Sequence, residues 1–132
     1  MIKIKRIPQI THKEECILRK LHLKFGSMIH DYLHLKNTYK EREASRDSRV
    51  LLYYQDGKVK GWLLFIPYHF NKNSVEFELY VHSKLRRKGI GTQLIKKAIQ
   101  MTRRRKIKNI IIYRNNKNQH FFNSINCSKF IS

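Results

Sequence analysis

Arg86-Arg-Lys-Gly-Ile-Gly91 is the run whose residue types and spacing can hold an anion. Glycines at 89 and 91 carry no Cβ, so the backbone there can take φ > 0 and come close to a ligand. A helix opening directly after such a turn has amides without intrahelical acceptors, and its dipole adds partial positive charge. The natural occupant is a di- or triphosphate. The run is not a Walker loop, because no Gly-Lys-Ser/Thr closes a Gly-x4 spacing. It also lacks the three-glycine dinucleotide pattern.

The flanking elements are those that would position this turn. Val75, Phe77, Leu79 and Val81 alternate, which predicts a strand over Val75–His82. Leu94, Ile95, Ala98, Ile99 and Met101 recur at helical spacing, with Lys96, Lys97 and Gln100 off that stripe. The pattern predicts a helix from near Thr92.

Taken together, strand, turn and helix resemble the acetyl-coenzyme A site of the GNAT superfamily of N-acetyltransferases. There the fourth strand ends in Leu-x-Val, and after a short turn Arg/Gln-x-x-Gly-x-Gly/Ala opens a helix. Leu79-Tyr-Val81 and Arg86-x-x-Gly89-x-Gly91 stand at that spacing. The resemblance implies an α/β fold, a GNAT-like mixed β-sheet flanked by helices on both faces, with acetyl-CoA as cofactor and a primary amine as acceptor. It implies that the pantetheine arm pairs with the backbone of Leu79, Tyr80 and Val81. The pyrophosphate would lie on amides of Arg87, Lys88, Gly89, Ile90 and Gly91 and on Thr92, with Arg86 and Lys88 adding charge. A base must leave the amine neutral at attack. Glu76 and Glu78 are the carboxylates on the right strand, and Glu78 is favoured. The family's strand often bulges here, so alternation alone does not assign either one to a face.

The second family landmark is Asn-x-x-Ala-x-x-x-Tyr and then Gly-Phe, where the Asn binds cofactor and the Tyr protonates the leaving thiolate. Asn115 fits the first position. Asn118 stands at the alanine, Phe122 at the tyrosine, and Asn126-Cys127 at Gly-Phe. Phenylalanine donates no proton, and Tyr80, Tyr113, His82 and His120 are the donors left to choose among. The family usually ends in two further strands. Here at most one short piece follows, so the C-terminus is shortened and the acceptor side stays open. Some small basic members of the superfamily acetylate aminoacyl-tRNA, so protein, small-molecule and aminoacyl-tRNA acceptors are all carried forward.

The length of 132 residues suits one domain over the whole chain. Formal net charge is +20, and all nine carboxylates lie before residue 79. From Leu79 onward fourteen Lys and Arg face no acid at all, including the run Arg103-Arg-Arg-Lys106. Such a field attracts polyanions, either nucleic acid or an acidic protein, although a compositional bias toward Lys, Ile and Asn contributes. An alternative reading follows: a GNAT-scaffold binding protein with little turnover. A homodimer is a further expected partner, and a membrane is not. No apolar run approaches the roughly 20 residues that span a bilayer, and the alternating N-terminus is no signal peptide. Cys16 and Cys127 are too few for a disulfide framework, which favours a reduced cytoplasmic protein.

In chain order, Ile2–Ile7 reads as a strand stopped by Pro8. Thr11-His-Lys-Glu14 has capping-box spacing, predicting a helix from about His12 that buries Ile17, Leu18, Leu21 and Phe25. A second amphipathic segment carries Met28, Ile29, Tyr32, Leu33 and Leu35. His30 and His34 on it lack a third ligand, so no metal is expected. Gln55-Asp-Gly-Lys58 joins strands Val50–Tyr54 and Val59–Pro67 as a hairpin, with Trp62 read as core. Asn109–Tyr113 reads as a strand buried on both faces. His120–Ile125 is expected to be a helix and Cys127–Ile131 a short strand.

Overall fold

The computed structural model describes residues 1–25, 47–67, 73–82 and 88–112, with side chains omitted for 21–25. Its elements run β1 (Ile2–Lys5), a 3-10 turn (Ile7–Gln9), α1 (His12–Phe25), β2 (Arg49–Gln55) and β3 (Lys58–Pro67). They continue with β4 (Ser74–Val81), α2 (Ile90–Arg104) and β5 (Asn109–Ile112). The sheet order is β1-β2-β3-β4-β5, antiparallel throughout except for the parallel pair β4-β5. Parallel neighbours need a crossover, and α2 supplies it.

Alternation along the strands sorts the apolar side chains into two cores. One holds Leu51, Leu63, Phe65, Phe77 and Leu79 against Leu94, Ile95 and Ala98 of α2. The other holds Val50, Leu52, Trp62, Leu64 and Ile66 with Ile7, Ile10 and Leu18 of α1. A helix therefore covers each face of a mixed sheet, as the fold class predicted.

Local chemistry explains most element ends. Asp56 at φ 53° and Gly57 at φ 74° make the two-residue turn joining β2 to β3, with Gln55 paired to Lys58. Two successive positive φ values match strand twist, and Asp-Gly tolerates them. The capping box at α1 is formed: Glu14 N–H donates to Thr11 Oγ1 (3.1 Å) and Thr11 N–H donates to Glu14 Oε1 (2.9 Å). Lys5 Nζ reaches the same Oε1 at 2.6 Å, and the Tyr54 hydroxyl donates to Oε2. Burial alone would raise the Glu14 carboxyl, yet hydrogen bonds from Lys5, Tyr54 and Thr11 outweigh it and hold the pKa at about 2. Tyr54 is pushed up to about 12 by its own burial and by the hydrogen bond to this carboxylate.

Two boundaries and one burial pattern differ notably from expectation. β1 ends at Lys5, and Pro8 sits inside the following 3-10 turn, where an early helical position needs no N–H. α2 opens at Ile90 rather than near Thr92, because Gly89 itself is the left-handed N-cap at φ 85°. β5 is not buried on both faces. Ile110 and Ile112 pack under α2, while Ile111 is 37% exposed, since among the described residues only the α2 side of β5 is covered. The expected second amphipathic segment, with His30 and His34, lies outside the described residues, as do the final helix and strand. No described helix is long and apolar enough to cross a membrane.

Candidate active site

The end of β4 and the start of α2 meet at one edge of the α2-side core. β4 pairs with β3 in unbroken register from Pro67–Val75 to Gly61–Val81, and His82 N–H extends the pairing to the Lys60 carbonyl at 2.8 Å. The bulge common in the family is therefore absent from β4, and alternation does assign faces. Leu79 and Val81 lie on the α2 side. Glu76, Glu78 and Tyr80 lie on the α1 side, paired across the strands with Ile66, Leu64 and Trp62.

The irregularity sits one strand earlier. Tyr53 pairs with Gly61 and Tyr54 with Val59, so Lys60 is the extra residue. That step in parity is why Val59 and Trp62, three apart, both join the α1-side core.

On that face Glu78 is fully buried, at 0% exposure, and Glu76 is half-buried. Trp62 stacks on Tyr80 with ring centroids 6.1 Å apart at 22°. Glu78 and Tyr80 are two residues apart on one face, so the strand brings together a carboxylate and a hydroxyl, the two group types that proton transfer needs.

The turn into α2 has the features of an anion cradle. Gly89 is the N-cap in the left-handed region, no side chain caps the helix, and no acid occupies the first turn. The first intrahelical bond runs from Gln93 N–H to the Gly89 carbonyl at 3.0 Å. The amides of Ile90, Gly91 and Thr92 therefore precede the helical ladder and have no intrahelical acceptor. Lys88 is exposed beside them, and a Cβ built on Gly89 would meet nothing within 4 Å among the described residues. A glycine-opened helix N-terminus with an adjacent cation is a type of site that suits an anion such as a pyrophosphate. Arg86, Arg87, Asn115 and Phe122 lie outside the described residues.

Gly61 belongs to this site and sequence reading passed it over. A Cβ there would stand 3.0 Å from the Tyr80 carbonyl oxygen, 3.3 Å from Ile90 Cγ2 and 3.5 Å from Val81 Cα. Glycine lets the first residue of α2 settle directly on β3 beside the end of β4. The signal available beforehand was an isolated glycine inside an apolar strand run, which marks a bulge or a close approach.

The Acetyltransferase (GNAT) family model matches residues 17–125. The chain belongs to that family. Solved GNAT-fold structures superpose over nearly its whole length. A ribosomal-protein-alanine N-acetyltransferase from Brucella melitensis is 18% identical, with 95% of this chain and 90% of that one covered at TM-score 0.68. An aminoglycoside acetyltransferase from an uncultured soil metagenomic sample is 14% identical, covering 98% and 86% at TM-score 0.65. A predicted acetyltransferase with acetyl-CoA from Clostridium acetobutylicum is 12% identical, covering 95% and 87% at TM-score 0.64. At these identities the likeness is one of fold. No curated protein matches the sequence significantly.

Proposed function

We propose that this GNAT-family protein transfers the acetyl group of acetyl-coenzyme A to a primary amine. The carrying observation is the uncapped, glycine-opened N-terminus of α2 set against the end of β4. Acetyl-coenzyme A would supply the thioester and carry the C–S electron pair away as thiolate. The backbone of Leu79, Tyr80 and Val81 would align the pantetheine arm, a backbone amide there polarising the thioester carbonyl. Amides of Ile90, Gly91 and Thr92, with Lys88, would hold the pyrophosphate. Glu78 would accept the proton of the attacking amine, directly or through water, with Glu76 as the second candidate. The leaving thiolate takes a proton, for which Tyr80 and His82 are donors among the described residues. The solved neighbours' names point to different acceptors, so the proposal stops at the primary amine. A second reading, a GNAT-fold binding protein, is favoured by Phe122 at the family's tyrosine position.

Two variants test the assignment. Gly89→Glu places a carboxylate at the phosphate cradle, with Gly89→Ala as the control for the strain of a side chain at φ 85°, and calorimetry should find coenzyme A binding abolished in the glutamate variant. Glu78→Gln should cut amine acetylation by about 10²–10⁴-fold while coenzyme A affinity stays within a few-fold. Retained affinity in the first variant would remove the cradle from the cofactor site. Coenzyme A binding with no thiol release over an amine panel would support the second reading.

A further inference from the structure

Eight of the fourteen Lys and Arg beyond residue 79 lie among the described residues, and they are not spread evenly. Gln93, Lys96, Gln100 and Arg103 follow one another at intervals of three and four residues along α2, and all are exposed. That spacing is one ridge of a helix, and exposed Arg104 at the last position of α2 and exposed Lys106 just past it continue the charge. The opposite face of the same helix is buried, so this ridge looks to solvent.

Two ordinary explanations absorb only part of this charge. Arg105 is structural: its Nη1 donates to the Asp47 carbonyl at 2.6 Å and its guanidinium lies 4.9 Å from the Phe65 ring centroid. The negative end of the α2 dipole accounts for Arg103 or Arg104 in the last turn. Among the described residues no acid pairs with Lys96, Arg103, Arg104 or Lys106. The two ion pairs found among the described residues are Lys5–Glu14, between β1 and α1, and Arg19–Glu15 within α1. Nor is the C-terminal charge part of the phosphate cradle, because Arg103 stands about 20 Å along the helix from Gly89, and Lys96 about 10 Å.

We propose that the solvent ridge and C-terminal end of α2 bind the phosphodiester backbone of a nucleic acid. Lys96, Arg103, Arg104 and Lys106 are the contacts. Duplex backbones carry a charge about every 1.7 Å of axis, so a line of cations one or two helical turns apart meets phosphates without a matched sequence. A protein partner fits less well. Protein interfaces centre on apolar and aromatic anchors, and this ridge offers only Lys, Arg and Gln. The contacts read backbone and no bases, so binding is sequence-independent.

The test uses the full chain in fluorescence anisotropy with labelled RNA and DNA duplexes of one sequence, over rising NaCl. Polyglutamate and phosphatidylserine vesicles are the competing arms. Both duplexes should bind at low salt, with affinity falling at a log–log slope of about 0.9 per phosphate neutralised. The triple variant Arg103→Ser, Arg104→Ser, Lys106→Ser should flatten that slope by about 2–3 and weaken low-salt binding at least about tenfold. Lys96→Glu should weaken it independently. Arg105 is left in place because it anchors the start of β2. An unchanged melting temperature and coenzyme A affinity would separate the surface from the fold and the acetyltransfer site. No retention of either duplex at low ionic strength, a triple variant indistinguishable from wild type, or tighter binding of polyglutamate or vesicles would overturn the proposal.

Discussion

Gly61 marks the residue on which the geometry of the candidate site turns. Its missing Cβ lets Ile90 rest against β3, and the nearest atom such a Cβ would meet is a backbone oxygen, which cannot swing away as a side-chain tip can. Gly61→Ala therefore either lifts the opening of α2 or displaces the Tyr80 carbonyl. Overpacking of this kind costs about 1–3 kcal/mol. The expected outcome is a lowered melting temperature together with coenzyme A affinity weakened several-fold. A variant that loses stability while keeping wild-type affinity would make Gly61 a packing residue only. Gly89 differs: nothing crowds it, and its constraint is the left-handed φ of 85°.

Among the elements, α1 is fastened to the sheet through one carboxylate. Glu14 caps its own helix, receives Lys5 from the end of β1 and receives the Tyr54 hydroxyl from β2. Its folded pKa of about 2 lies below the ordinary glutamate value of 4.5. The stability this gives is present above about 4.5 and is lost as pH falls through about 2. Tyr54 runs the other way. Its folded pKa of about 12 exceeds 10, so its contribution is present below pH 10 and lost as pH rises through about 12. Glu14→Ala leaves Lys5 and Tyr54 without their acceptor and should cost about 1–3 kcal/mol near neutral pH. Denaturant melts across pH should show the acid limb shrink in Glu14→Gln and the alkaline limb shrink in Tyr54→Phe. Equal pH profiles for wild type and both variants would refute the linkage.

For the whole molecule the dominant electrostatic quantity is self-repulsion. A net charge of +20 on 132 residues opposes the compact state, and salt screens it over a Debye length of about 8–10 Å near physiological ionic strength. The melting temperature should therefore rise as NaCl is added from low ionic strength. Inorganic polyphosphate should raise it further at equal ionic strength, because an anion that binds the folded cation clusters stabilises by mass action. A flat or falling response to NaCl would mean that the charges are already compensated. The NaCl response is independent of the nucleic-acid proposal, since screening acts on any cationic surface.

The sequence by itself determined what depends on neighbours along the chain. The Thr11–Glu14 capping box, the Asp56-Gly57 turn, the alternation of β4 and the stripe of α2 are each set by local hydrogen bonds or a fixed period, and each stands where the residues placed it. The GNAT fold was legible for the same reason: its strand, glycine turn and helix are contiguous. Only the tertiary structure decided what distant segments do to one another. Whether Ile111 is covered depends on which helix lies over β5, and periodicity cannot see that. The face of Glu78 depended on where the extra residue sits, and pairing with β2 puts it at Lys60 rather than in β4. Arg105 parted from its basic neighbours because Asp47 and Phe65 come within its reach only once the sheet has formed. Gly61 gained its role the same way, since the close approach it permits joins a strand to a helix that begins 29 residues later, at Ile90.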